Sequence, residues 1–519
     1  MTDLPLPVPA PSSGRLGERE IRGLLDERIL VLDGGMGTAL HPLSLTAGDF
    51  GGAEFEGCNE ALNLTRPEVV LKIHEDYLAA GADIVETNSF GGTPLVLAEY
   101  QLAHRAYDIN VAAARLARKA CEKHSQPGRP RMVAGSLGPT TKTLSVTGGV
   151  SFDAMTDTYY EQARGLIDGG VDLVLIETCL DTLNAKAAAR GVRRYFRESG
   201  VRLPVMLSCT IELMGTMLAG QGVEAYFTSM AHIEPLSVGM NCSTGPEFMA
   251  EHLRALSELA WTYVSCYPNA GLPDENGQFG ETPLIFSEKI ARFVEQGWLN
   301  IVGGCCGTHF GHIREVAALV AGKPPRRPQA KRKLALAGVE YFEPDETNRP
   351  VIVGERTNSL GSRKFKGLIA EGRYEEASEV GRKQVRGGAQ VLDLCLQNPD
   401  RDEPKDMEEF LRYVVRKVQV PLMIDSTDAA VLELALKRSQ GKAIVNSINL
   451  EDGEERFRKV CPLLVEYGAA VVVGCIDEDP KQGMAVTPER KVEIARRSYA
   501  LLTGTYGVAG RDILFDPLV

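Results

Sequence analysis

Three cysteines stand where chemistry is expected. Cys242 lies in Asn241-Cys242-Ser243, and the adjacent pair Cys305-Cys306 lies in Gly303-Gly304-Cys305-Cys306-Gly307. Each set directly follows a short apolar run. Three thiolates satisfy a soft, tetrahedral cation such as Zn²⁺ and leave a fourth position open, which marks a catalytic rather than a structural site. A metal with three sulfur ligands is electron-rich, so it activates water poorly and suits a substrate thiol better. A free thiol, with pKa near ~8.5, is mostly protonated at neutral pH. Coordination removes that proton and keeps the sulfur nucleophilic. The expected chemistry is alkyl transfer to a thiol. Three other readings stay open: a redox-active Cys305-Cys306 pair, a Gly-rich turn with buried cysteines, and His309 in place of one sulfur.

Asp33 and Glu177 also end apolar runs, and carboxylates aimed at the same place would hold an ammonium group. The backbone N–H groups of Gly34 and Gly35 would hold a carboxylate. With the metal, these groups describe a thiol-bearing amino acid. The competing reading is that Asp33 and Glu177 cap turns or pair with Lys or Arg. Further along, Asp425, Asn446 and Asp516 end three more runs, with Glu355 and Asn358 following another. A carboxylate accepts two N–H bonds from a 2-amino-pyrimidinone edge, and an amide both donates and accepts. Any polar heterocycle would satisfy such a set, and turn-capping remains the alternative for each residue.

The elements that must position these residues form a repeating pattern of apolar run, polar or Gly-rich turn, and amphipathic stretch. Candidate strands are 29–33, 82–86, 131–136, 171–177, 204–208, 236–240, 261–265 and 300–303, with helical patterns such as 67–80 and 184–199 between them. Short Val/Ile/Leu runs without alternation suit strands buried on both faces of a parallel sheet. Eight strand–helix units make a (β/α)₈ barrel of TIM type, whose active residues sit at the strands' C-terminal ends. A doubly wound open sheet is the alternative, but Gly34-Gly35-Met36-Gly37 is not a dinucleotide fingerprint. Beyond a Pro-rich, charged stretch the alternation restarts at 351–354, 390–394, 421–425, 443–446, 469–474 and 512–516. The expected α/β architecture is therefore two (β/α)₈ barrels in tandem, the second lacking its last two strand–helix units. Its open sheet edges suggest a sequence cut from a longer protein. The expected division is a disordered tail (1–20), a zinc barrel (21–322), a linker (323–349) and a truncated second barrel (350–519).

Composition narrows the class. The chain has 519 residues, 44% hydrophobic and 24% charged, with a net charge of −12. An acidic chain repels phosphate backbones, and 6% aromatic content argues against base-stacking surfaces. The basic residues of 323–333 read better as linker than as a nucleic-acid site. No apolar run is long enough to span a membrane, and the N-terminus lacks the pattern of a signal peptide, so a cytoplasmic protein is expected. The odd count of 11 cysteines argues against a disulfide framework. Cys58, Cys121, Cys179, Cys209, Cys395, Cys461 and Cys475 are expected to be core residues.

Over 20–519 the sequence resembles the cobalamin-dependent methionine synthase family. The first region carries Val31-Leu32-Asp33-Gly34-Gly35-Met36-Gly37-Thr38, Glu86-Thr87-Asn88-Ser89-Phe90, Gly135-Ser136-Leu137-Gly138-Pro139-Thr140, Ile176-Glu177-Thr178, Gly239-Met240-Asn241-Cys242-Ser243 and Gly303-Gly304-Cys305-Cys306-Gly307-Thr308. Homocysteine methyltransferases in general share that set. The second region carries Val353-Gly354-Glu355-Arg356-Thr357-Asn358, Ile424-Asp425-Ser426, Val445-Asn446-Ser447-Ile448-Asn449 and Phe515-Asp516-Pro517, similar to pterin-binding methyltransferase domains. The resemblance implies that Cys242, Cys305 and Cys306 bind zinc and that Asp33 and Glu177 hold the homocysteine amino group. It makes Asp425, Asn446 and Asp516 part of a 5-methyltetrahydrofolate site, with Asn446 nearest N5 and catalytic. The implied reaction passes a methyl group from the folate to cobalamin and from methylcobalamin to the homocysteine thiolate. The family's cobalamin-ligating Asp-x-His-x-x-Gly motif is absent, so cobalamin-binding and reactivation domains are expected C-terminally in a longer chain. The rival expectations are a homocysteine methyltransferase with a direct donor such as betaine or S-methylmethionine, and a non-enzymatic zinc- and pterin-binding scaffold.

Overall fold

The computed structural model describes residues 14–330 and 333–518. Contacts divide the chain into two compact units, the described parts of 1–219 with 234–330 and of 220–233 with 331–519.

The first unit is built on eight parallel strands: β1 (Leu30–Val31), β2 (Ile84–Glu86), β3 (Met132–Leu137), β4 (Leu173–Cys179), β5 (Val205–Cys209), β6 (Ser237–Asn241), β7 (Tyr263–Tyr267) and β8 (Ile301–Val302). They are ordered β1-β8-β7-β6-β5-β4-β3-β2, and a parallel bridge from Leu32 to Ile84 joins the two ends into a ring. Every strand overlaps a run expected from the sequence. The reason is physical: ladder hydrogen bonds and burial on both faces demand the same apolar runs that mark the strands.

Residues two apart on a strand share a face. Leu30 and Leu32, Met132 and Ala134, and Leu173 and Leu175 thus point into one core cluster, joined by Met206, Leu236, Tyr263 and Ile301. The helix Glu18–Glu27 adds Ile21 and Leu25, one turn apart, to the same cluster. It closes the N-terminal end of the ring, where Tyr263 OH donates to Asp26 Oδ1 at 2.9 Å. Of the expected tail 1–20, residues 1–13 lie outside the described residues, while Glu18–Glu20 open this plugging helix.

The second unit contains a six-stranded, all-parallel sheet, preceded by an antiparallel hairpin of β9 (Leu336–Ala337) and β10 (Tyr341–Phe342). The sheet runs β11 (Val353–Gly354), β12 (Val391–Leu394), β13 (Leu422–Asp425), β14 (Ile444–Leu450), β15 (Ala470–Asp477) and β16 (Ile513–Asp516), each beside the next. It does not close, and β11 and β16 are its edges. Leu336 of the hairpin joins Val391, Met423, Ile444 and Ala470 in the core under the strand starts. Thus a segment preceding the sheet plugs this unit too, from a stretch whose prolines and charges read as linker. Two-residue strands are too short to show a period.

The basic run also has a structural member. Arg326 is buried and donates to the carbonyls of Ser257, Ala260 and Thr262. Those groups lie at and just past the end of the helix Pro246–Leu259, where carbonyls lack helical partners. Lys331 and Arg332 lie outside the described residues. No helix among the described residues is long and apolar enough to cross a membrane.

The N-terminal face of the first unit is held by paired charges. Asp83, just before β2, is fully buried and faces Arg28 at 2.6 Å, Arg129 at 3.3 Å and Arg131 at 3.1 Å. It also accepts Val31 N–H at 3.0 Å. Removing one member of such a cluster strands the buried cation of the other. Asp83→Ala is therefore expected to lower the first unit's stability by about 3–5 kcal/mol in urea unfolding, while Glu18→Ala, which breaks an exposed pair, costs less than about 1 kcal/mol. Equal effects from the two would show that this cluster does not hold the face together.

Candidate active site and metal centre

The three expected cysteines converge. Their Sγ atoms all lie within 4.8 Å of one another, and Cys242 and Cys306 are 3.8 Å apart. Two sulfurs bound tetrahedrally at about 2.3 Å from one metal lie roughly 3.8 Å apart. A disulfide would need about 2.05 Å, and all three are free thiols. The donor set and its spacing thus fit a thiophilic tetrahedral cation. Without one, the three sulfurs compete for a single negative charge. Hydrogen bonds from Cys305 and Cys306 hold Cys242 far below the ordinary thiol range, and those same bonds push Cys305 and Cys306 above it.

The backbone fixes this cluster from both sides. Cys242 and Ser243 leave β6 with φ of 61° and 58°, in the left-handed region that side chains adopt at a cost. The turn after β8 is tied to β7, since Cys305 N–H donates to Pro268 O at 2.9 Å and Cys306 N–H to Asn269 Oδ1 at 3.1 Å. It is tied to the segment after β1 as well, through Gly304 N–H to Asp33 O at 3.0 Å and Gly307 N–H to Thr38 Oγ1 at 2.9 Å. The approach is close enough that a Cβ on Gly35 would sit 2.7 Å from Cys305 O. His309 is not part of the cluster: its Nδ1 accepts Gly311 N–H at 3.0 Å and caps the helix Phe310–Val320. The seven cysteines expected in the core are all buried.

Beside the sulfurs stands a group of carboxylates with no Lys or Arg paired to them among the described residues. Asp33 and Glu177 are buried, and Glu86 at the end of β2 joins them. Asp33 Oδ2 accepts Glu86 N–H at 3.1 Å, and Asp33 Oδ1 has no partner among the described residues. Glu177 accepts from Ser136 Oγ and, at 3.5 Å, from Asn241 Nδ2. Burial drives all three carboxyls up from their ordinary range, and the charge of Glu177 adds to that on Asp33 and Glu86. Gly34 lies against the Tyr77 ring, and Gly35 N–H donates to Thr308 Oγ1 at 3.3 Å. Glu86 and Asn269 were not singled out by spacing, although Glu86 ends a strand run and Asn269 follows one in the sequence. Asn269 also hydrogen-bonds Cys242.

In the second unit, Asp425 and Asn446 are register partners on β13 and β14. Between them and Asn358 lies Asp393 of β12, buried, with Oδ1 unpartnered among the described residues. Burial and the neighbouring Asp425 charge push Asp393 up to about 7, against hydrogen bonds from Asn358 and Asn446. The signal for Asp393 was present as a lone carboxylate in the run Val391-Leu392-Asp393-Leu394. Asp425 is also raised, first by burial, with Glu355 adding its charge. Asn358 Oδ1 caps a turn through Leu360 and Gly361 N–H at 2.8 and 2.9 Å. Asp516 stands apart: it is exposed on the edge strand, two strands from Asn446 or roughly 10 Å, and its Oδ1 accepts Leu518 N–H at 2.8 Å. Arg456 ties the strand ends together by donating to the carbonyls of Ser426, Thr427 and Ser447.

Comparison with known proteins agrees with this division of chemistry. The pterin binding enzyme family matches residues 354–519. Among solved structures, the homocysteine methyltransferase MmuM of Escherichia coli is similar in its oxidized and metallated forms. Each is 25% identical with a TM-score of 0.48, covering 57% of this chain and 98% and 99% of theirs. The homocysteine S-methyltransferase family matches residues 30–320, the whole ring with its three cysteines. The chain therefore belongs to the homocysteine S-methyltransferase family, with a pterin-binding domain following the homocysteine methyltransferase domain.

Proposed function

We propose that the chain carries out the homocysteine and folate chemistry of a cobalamin-dependent methionine synthase, in a cytoplasmic setting that keeps thiols reduced. The observation that carries this reading is the meeting of three sulfurs, within 4.8 Å of one another, with buried carboxylates that lack cations. Zinc held by Cys242, Cys305 and Cys306 supplies the positive charge that makes a substrate thiol ionise at neutral pH. Asp33 and Glu177, with Glu86 beside them, take the ammonium group of homocysteine, whose charge restores their ionised forms. Gly34 and Gly35 border the place for its carboxylate. The thiolate sulfur then forms a bond to the incoming methyl carbon, and the donor keeps the electron pair of the bond that breaks.

The nature of the donor is supported by a second feature. Every large apolar side chain exposed among the described residues of the first unit lies in a segment following the C-terminal end of a strand. Examples are Phe90 after β2, Val146 after β3, Met214 after β5, Phe248 after β6, Leu272 after β7 and Phe310 after β8. A rim of apolar groups around one face marks a place of association. It suits a corrinoid brought up by a further domain better than betaine or S-methylmethionine diffusing in from water. In the second unit, Asp425 and Asn446 offer an acceptor and a two-way amide to the pterin edge of 5-methyltetrahydrofolate, with Glu355 and Asn358 nearby and Asp516 on the outer strand. An amine is a poor leaving group unless protonated. Asn446, beside a carboxyl that keeps its proton to about 7, is the residue this reading assigns to the folate nitrogen that loses the methyl.

Replacement of one metal ligand tests the first half. Purified protein is expected to carry about one zinc and to demethylate methylcobalamin in the presence of homocysteine. Losing an outer-shell partner costs about 10–100-fold, so Cys306→Ala is expected to lose the zinc and more than about 100-fold of the rate. Zinc determination and the corrinoid colour change read the two effects. A folded, zinc-loaded protein that ignores methylcobalamin but uses betaine or S-methylmethionine would establish the direct-donor enzyme. Zinc loading without transfer from any donor would leave a scaffold.

Asp393 tests the second half through pH. The folded chain keeps its proton to about 7, whereas an unfolded chain releases it near the ordinary value of 3.8. Between those values the folded state binds more protons, so stability falls as pH rises through this window and levels off above it. The cost at pH 8 is at most about 4 kcal/mol, for a carboxyl moved from 3.8 to about 7. Asp393→Asn is expected to stabilise the second unit by about 2–4 kcal/mol at pH 8 and to change little at pH 4, while slowing methyl transfer from 5-methyltetrahydrofolate. Urea titrations at the two pH values check this. A variant no more stable than wild type at pH 8 would remove Asp393 as a strained proton holder.

A further inference from the structure

We propose that Asn241 couples the ammonium site at Glu177 to the charge on the Cys305 sulfur, so that full activation of a metal-bound thiol requires an α-amino group in the ligand. The inference rests on the homocysteine reading of the first unit.

Asn241 is the last residue of β6, immediately before Cys242, and is completely buried. Its amide orientation is fixed by its neighbours. Thr178 N–H, which can only donate, lies 3.1 Å from Oδ1, and Ser208 Oγ donates to the same oxygen at 2.6 Å. The nitrogen must therefore face the other way. Nδ2 donates to Thr178 Oγ1 at 2.7 Å, and it also faces Glu177 Oε2 at 3.5 Å and Cys305 Sγ at 3.9 Å. An amide nitrogen carries two hydrogens. One is taken by Thr178 in a short bond, and the other is shared at long distance between a carboxylate and a metal ligand.

A shared hydrogen goes to the stronger acceptor. With no ligand ammonium, Glu177 competes for it and Cys305 keeps its charge. When an ammonium group pairs with Glu177, that carboxylate accepts the stronger bond, and the amide hydrogen turns to sulfur. An N–H bond to a ligating thiolate withdraws charge from it, which leaves the metal a stronger acid toward the substrate thiol. The two functions of the site thus meet in one amide. The same amide holds Thr178, which has φ of 52° and needs an external partner to keep that conformation.

The test compares L-homocysteine with 4-mercaptobutanoate, which has the same thiol and carboxylate but no amino group, on zinc-loaded protein. Calorimetry in buffers of different ionisation enthalpy gives affinity and the protons released per thiol bound. Asn241→Leu keeps the volume and removes both donors and acceptor, and Asn241→Ala removes the volume as well. Both variants are expected to keep zinc, to reduce the preference for homocysteine by roughly 10–50-fold and to release fewer protons with it. In a Glu177→Gln background, Asn241→Leu is expected to add no further loss of preference. Equal weakening of both thiols, additive losses in the double variant, or loss of zinc from both Asn241 variants would each overturn the coupling. A zinc-loaded wild type that binds neither thiol would overturn the homocysteine reading and the coupling with it. One that binds both equally would overturn the coupling and leave the thiol site standing.

Discussion

A shortage of positive charge in one barrel mouth governs this structure. Three sulfurs converge within 4.8 Å of one another, and three carboxyls beside them are driven up from their ordinary range by burial. Such a collection is unstable by itself and persists only because the scaffold over-determines it. The ring of strands brings the C-terminal ends of β1, β2, β4, β6 and β8 to one place. Glycines let the segments after β1 and β8 touch, and the segment after β7 supplies Pro268 and Asn269 to lock the second of them. The left-handed residues Thr178, Cys242 and Ser243 are where the chain bends to reach the cluster. Under the proposed function, a soft cation and an ammonium group are the two species that relieve the shortage.

The other end of the same ring shows what satisfied acids look like. Asp83 and Asp172 are as buried as Asp33 and Glu177, yet each faces arginines, with Arg118 2.6 Å from Asp172. Asp172 also accepts the N–H groups of Leu16 and Val133 at 3.0 and 2.7 Å. Residue type and burial are equal at the two ends, and the supply of cations differs. The acids at this end are held by arginines, whereas the hydrogen bonds to Asp33 and Glu177 come from neutral donors.

Legibility in the sequence followed the same physics. The strands were readable because parallel strands buried on both faces are continuous apolar runs, and the strand ends then located Cys242, Cys305, Cys306, Asp33 and Glu177. Turn-capping and site residues look alike in sequence. Asp516 caps a turn, Asn358 both caps a turn and reaches Asp393, and Asp425 and Asn446 face Asp393. Asp393 was hidden inside a run whose neighbours declared it a strand. Glu86 and Asn241 stood in recognised motifs, but their roles depend on distances across strands that spacing does not supply. The hairpin of β9 and β10 was illegible, since two-residue strands carry no period. Arg326 was hidden because its partners are backbone carbonyls, which leave no mark on side-chain composition.

The two units pose complementary electrostatic problems. Under the proposed function, the sulfur of the first unit must be made more negative at neutral pH, which needs a cation. The folate nitrogen of the second must be made a better leaving group, which needs a proton. The first unit gathers soft and hard anions that attract cations. The second buries Asp393 beside Asp425 and Glu355, so that a carboxyl keeps its proton to about 7 beside Asn446. Burial of carboxyls, with like charges beside them, is the device in both. In the first its product is affinity for positive ligands, and in the second it is a buried acid still loaded near neutral pH. One chain can hold both because each crowd forms at the C-terminal ends of its own strands, where loops are free to carry costly residues while the packed strand interiors keep the fold.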